Sequence, residues 1–139
     1  MRHLLSITFF VAILTAPSIS LAQDNANSRI YKRDYPVVWK ALLQAVTEGG
    51  DSISNQDKES GTLSTEWFTL QESVSVFSRG WKVKENILVE KESSGVRVTL
   101  NLLYQNKIGK SEWRPASNNN DYTPKIYEAF FALLDKRLK

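Results

Sequence analysis

Cysteine is absent from the 139 residues, and histidine occurs once, at His3. Without cysteine there is no disulfide framework, so the fold must be held by a buried apolar core. Without a histidine beyond position 3, Ser-His-Asp and Cys-His nucleophilic chemistry is excluded from the rest of the chain. Ordinary zinc, copper and haem sites are excluded with it, and no metal or cofactor is expected. A strong charge imbalance is also missing: 18 basic side chains face 15 acidic ones, a formal net charge of +3. That balance does not suit a nucleic-acid-binding arm. Long apolar runs are lacking as well. The one from Leu4 to Ala16, LLSITFFVAILTA, is well short of the ~20 residues a membrane-spanning helix needs.

That run does suit another purpose. It follows the basic start Met1-Arg2-His3 and precedes Pro17 and the small residues SISLAQ, with Ser20-Leu21-Ala22 as a cleavage signature. This is the pattern of a secretory signal peptide, residues 1–22, cut between Ala22 and Gln23. The product is expected to be periplasmic or secreted, with no transmembrane segment. No cysteine follows the run, so no acyl anchor is expected. Loss of Arg2 leaves 17 basic against 15 acidic side chains in the remaining 117 residues. Residues 23–28 read as a polar, disordered lead-in, and residues 29–139 as one domain.

Within that domain, RIYKRDY offers a short edge strand with Ile30 and Tyr31 on opposite faces. Asp34 and Pro36 then supply N-cap and first-turn chemistry for a helix over 36–48. Its stripe is Val38, Ala41, Leu42, Ala45 and Val46, ended by Gly49-Gly50. A short strand near 51–56 and the turn DKESG lead to Thr62, after which Leu63, Thr65 and Trp67 alternate with Ser64, Glu66 and Phe68. Gly61 provides the conformational freedom of that hairpin. Further strands are expected at 73–77, at 81–90 with Trp81, Val83, Ile87 and Val89 on one face, and at 96–105. The last has apolar residues at Val96, Val98, Leu100, Leu102 and Tyr104. An edge strand is expected over 107–113, ending by Pro115. Thr123-Pro124 opens a C-terminal helix striped by Tyr127, Phe130, Phe131, Leu134 and Leu138. The implied architecture is two-layer α+β: an antiparallel sheet of four to six strands, covered on one face by an N-terminal and a C-terminal helix.

The helix VVWKALLQAV, the spaced set Ile53, Asp57, Gly61, Leu63, Thr65 and Trp67, and Trp113 ahead of an aromatic final helix together resemble a known family. They are similar to the helix-grip domains of the outer-membrane assembly lipoproteins BamC or NlpB, across residues 30–138. The resemblance implies a periplasmic, non-catalytic domain that docks other envelope proteins. This chain departs from the family in having neither the lipidation cysteine nor the length for two tandem domains.

Candidate sites follow from the residues. Trp39 and Trp67 are expected in the core, given the area each can bury. Trp113 and Trp81, with Arg79, Lys107 and Lys110, are the candidate partner-binding set. Arg79, Lys82, Lys84, Arg97, Lys107 and Lys110 are expected on or near the polar strand face, interleaved with Glu85, Glu90 and Glu92. Such a face suits an acidic partner or an anionic membrane surface. Glu66 and Glu72 lack any sign of the separation a glycosidase pair needs. Asp57 and Glu59 fall short of a calcium loop. Two readings stand side by side. One is a protein-interaction module using the 107–113 edge or the wetter sheet face. The other is a carrier holding a small hydrophobic ligand between helix and sheet, in a cavity lined by Trp81, Val83, Val98, Leu100, Phe130 and Phe131.

Overall fold

The computed structural model describes residues 25–71, 73, 75–119 and 121–139. The expected signal segment 1–22, the first residues of the lead-in, Glu72 and Val74 lie outside the described residues. In chain order the elements are β1 (Ser28–Tyr31), α1 (Tyr35–Glu48), β2 (Ile53–Asp57), β3 (Thr62–Thr65), β4 (Phe68–Gln71), β5 (Arg79–Glu92), β6 (Gly95–Ile108), β7 (Arg114–Ala116) and α2 (Thr123–Leu138). They form an α+β fold with a seven-stranded antiparallel sheet.

Its spine is the β5–β6 hairpin, paired without a register break from Arg79 opposite Ile108 to Glu92 opposite Gly95. Alternation along both strands, broken at Glu85, Leu88 and Leu103, sends most of the paired apolar residues to one face and so holds the register. β1 and β7 pair with the outer edge of β6 at its two ends, while β3 and β4 share the outer edge of β5. β2 pairs with β3 as the last strand on that side.

Both helices lie on one face. Val38, Trp39, Leu42, Ala45 and Val46 of α1 and Phe130, Phe131, Leu134 and Leu138 of α2 pack with Leu63, Ile87, Val89, Val96, Val98 and Leu100 into a single core. Burial of this apolar set is what drives the two layers together. Trp39 is 5% exposed and belongs to the core, as expected. Among the described residues no helix is long and apolar enough to cross a membrane.

Several local expectations need correction. The strand expected over 73–77 is a turn at Val76-Phe77. Three serines explain it: Ser73 Oγ donates to the Ser78 carbonyl at 2.9 Å, and the Ser75 N–H donates to Ser78 Oγ at 2.8 Å. Such side chains satisfy the backbone locally and compete with a strand ladder. The edge strand expected over 107–113 is displaced, since β6 continues to Ile108 and β7 begins at Arg114. Asp34 occupies the N-cap of α1 without a side-chain capping bond, and Pro36 is in the first turn. Thr123 lies inside α2 rather than capping it; its hydroxyl meets the Asn119 carbonyl at 2.7 Å and the Tyr104 hydroxyl at 2.8 Å.

Trp67 also moves. Leu63 pairs with Ile87 and Phe68 with Val83, so β3–β4 takes five steps where β5 takes four. One extra residue in a strand reverses the alternation beyond it. Phe68 therefore turns toward the helices, and Trp67 turns to the uncovered face, half-buried.

Candidate binding sites

The first site is the end of the β5–β6 hairpin where β5 begins and β6 finishes. Gly80 lies opposite Lys107 there, and a Cβ on Gly80 would come within 3.2 Å of the Lys107 and Trp113 side chains. The absent side chain leaves room for Trp113, carried back by the 109–113 loop, to lie across the uncovered face. Lys107 Nζ stands 4.7 Å from the Trp113 ring centroid and Lys82 Nζ 4.9 Å from it. Lys82 Nζ also stands 5.0 Å from the Trp67 ring, so its ammonium is held between two indoles. Each contact gains from the negative face of the ring, by roughly 0.5–1 kcal/mol at such sites.

On the other face of the same strands, Trp81 meets Tyr104 edge-on at 6.3 Å between ring centroids, and the Arg79 guanidinium lies 6.0 Å over the Trp81 ring. Lys110 is exposed in the turn after β6. The five residues singled out for partner binding, Trp113, Trp81, Arg79, Lys107 and Lys110, are thus gathered at one end of the molecule. Pattern reading missed three companions. Val76, Phe77 and Ile108 are 63%, 91% and 53% exposed, and the first two sit on the serine-pinned turn. The turn is fixed to the end of β6 by a 3.0 Å bond from the Gly109 N–H to the Ser78 carbonyl.

The other cations of the expected basic face are distributed differently. Lys82 and Lys84 share the uncovered face with Lys107, but Arg97 lies at the far end of the hairpin, bonded to Glu92 and Ser28. Glu85 is not interleaved with them at all. It has the parity of Val83 and Ile87, faces the helices and is 3% exposed.

Glu85 forms the floor of the second site, a cavity of about 350 Å³. Its walls are Ala45 and Val46 of α1, the Gly49–Asp51 loop, Phe68 of β4, and Ile126, Ala129, Phe130 and Leu133 of α2. The Glu85 N–H donates to Thr65 Oγ1 at 3.0 Å, which anchors the backbone. Of its carboxyl oxygens, Oε2 is buried without a hydrogen-bond partner. Burial pushes the Glu85 carboxyl up to about 8, and the nearby Asp51 charge adds to the rise. Asp51, at the rim, is itself raised by burial.

Of the residues expected to line a ligand cavity, Phe130 lines this one. Val83, Val98, Leu100 and Phe131 are packed out of contact with solvent, at 0%, 0%, 0% and 1% exposure, and Trp81 is half-buried at the hairpin end. Compared with known proteins, the chain matches no family model and no curated sequence.

Proposed function

We propose that this chain is an exported, non-catalytic docking module of the cell envelope, working in the periplasm, whose contact surface is the end of the β5–β6 hairpin. The observation that carries this reading is that three exposed apolar side chains, Val76, Phe77 and Ile108, lie at the same end of the hairpin as Trp81 and Arg79 on one face and Trp113 and Lys107 on the other, with Lys110 in the turn beyond. Large apolar groups held in the open by a hydrogen-bonded turn mark a contact surface, and aromatic and arginine side chains are the usual anchors of one. The surrounding cations favour an acidic surface on the partner and speed the encounter with it. Export is supported by the N-terminal run and its cleavage signature, and the docking role by the resemblance to the BamC or NlpB helix-grip domains. The lack of histidine and cysteine beyond residue 3 supports a role without covalent chemistry.

The test is site-specific photo-cross-linking in the native envelope with the probe at Ser111, beside this end, and a control probe at Gln44 on α1. One envelope protein captured at Ser111 and not at Gln44, with capture lost in Lys107→Glu and Trp113→Ala, is the expected result. Equal capture at both positions, or capture indifferent to those substitutions, overturns the reading.

A further inference from the structure

The cavity between the helices and β5 is the least explained part of the molecule. Nothing about the docking end requires a buried carboxyl farther along the helix-covered face of β5. An unpaired carboxyl in a core is costly, and an apolar residue at position 85 would continue the Val83–Ile87–Val89 row and fill the space. The fold instead leaves a pocket there and has an acid in its lining.

We propose that this cavity is a binding site for a small organic cation, a protonated primary amine on an apolar body, with Glu85 and Asp51 receiving the ammonium. Three features select that chemistry. The lining has two carboxyls, Asp51 and Glu85, and no basic side chain. The remaining walls are the alanines, Val46, Phe68, Ile126, Phe130 and Leu133, which suit an alkyl or aryl group rather than a hydrated metal ion. And Glu85 Oε2, unpartnered in a residue 3% exposed, is a ready acceptor for an N–H donor. At about 350 Å³ the space lies at the small end of ligand pockets, which limits the guest to a short chain or one ring.

Binding carries a proton signature. Besides Asp51 at the rim, the titratable group near Glu85 is Tyr104 of β6, neutral at pH 7, and the α2 residues of the lining are apolar. With its carboxyl raised to about 8, Glu85 is mostly protonated at pH 7. An arriving ammonium favours the carboxylate, so the Glu85 proton leaves to solvent as the ion pair forms. Close to one proton is released per amine at pH 7, and affinity rises from pH 6 to pH 9, where the amine is still charged and Glu85 ionises on its own.

The experiment is calorimetric titration of the protein with phenethylamine and hexylamine, against phenethyl alcohol, hexanol and hexanoate. It is run at pH 7 in phosphate and in HEPES, buffers of different ionisation enthalpy that carry no primary amine, to read proton release. The amines are expected to bind at least tenfold tighter than the alcohols, with release of nearly one proton, and hexanoate not at all. Glu85→Gln should remove the proton release and at least tenfold of the amine affinity, while Asp51→Asn weakens binding less. Should Glu85→Gln fail to fold, the amine-to-alcohol ratio and the buffer dependence of the parent protein still decide. Amide chemical shifts locate the guest, and those of Gly49, Glu85 and Phe130 are expected to move. The proposal is overturned if no probe binds at millimolar concentration, if alcohols bind as well as amines, or if the shifts move at the Trp113 end instead.

Discussion

Tyr31 Oη donates a 2.8 Å hydrogen bond to Asp135 Oδ1, tying the first strand of the sheet to the last helix across 104 residues of chain. Arg29, two residues earlier on the same face of β1, pairs with the other oxygen of that carboxylate and lies 4.8 Å over the Phe131 ring. Burial, reinforced by the bond to Asp135, raises the Tyr31 phenol far above its ordinary value, so it remains a donor throughout the accessible pH range. Tyr31→Phe keeps the ring and removes the donor. It should cost about 1–2 kcal/mol in urea unfolding with an unchanged m-value, because Asp135 retains Arg29 and only one charged hydrogen bond is lost.

Gly61 sets a harder limit on sequence change. It takes φ +73°, and a Cβ there would stand 2.1 Å from the Val89 carbonyl oxygen, which belongs to the strand whose N–H donates to the Gly61 carbonyl at 2.8 Å. Gly61→Ala therefore combines an unfavourable backbone conformation with a backbone clash. A loss of at least ~2 kcal/mol is expected, read as a lowered urea midpoint. Gly50→Ala shares the positive φ but meets open space, and should lose less.

Gly61 was legible because a turn composition, DKESG, runs straight into period-two alternation. The same alternation located the middle of β5 and β6, though both run two to three residues past the expected 81–90 and 96–105 at most of their ends, and the 3.6-residue stripes located both helices. What escaped was the chemistry placed against pattern. Glu85 holds the parity of Val83 and Ile87, so the signal of an inward acid was present in the sequence, but its charge assigned it to the wet face. Trp67 followed the parity of Leu63 and Thr65 until an extra residue after β3 reversed it. A bulge of that kind is a property of the pairing, and one strand's sequence does not reveal it. The exposed turn at Phe77 resembled a strand because Val74 and Val76 alternate with serines, and those serines are what bend the chain.

Trp39 and Trp113 should separate by cost of removal. Trp39 is buried at 5% exposure in the core, whereas Trp113 is half-buried on the uncovered face with two ammonium groups over it. Trp39→Ala should lower stability by about 3–5 kcal/mol through cavity formation. Trp113→Ala loses part of its packing and two cation–π contacts, and should cost about 1–2 kcal/mol. Thermal unfolding of the two variants beside Phe77→Ser, which should be within about 0.5 kcal/mol of the parent, measures how little of the docking end serves stability.

Glu85 makes stability depend on pH with a definite sign. Its carboxyl titrates near the ordinary glutamate value in the unfolded chain and at about 8 in the folded one, so between those values the native state holds a proton that the unfolded state has lost. The unfolded state then binds fewer protons, and unfolding free energy falls as pH rises from about 4.5 to 8 before levelling off. Full expression of the shift amounts to roughly 3–5 kcal/mol. Glu85→Gln keeps the shape and removes the titration. At pH 5 it should differ little from the parent, and at pH 8.5 it should be the more stable protein, with the difference growing steadily in between. Urea midpoints of the two proteins across pH 5 to 9 give the result, and parallel profiles would mean that the Glu85 carboxyl is solvated rather than buried between sheet and helices.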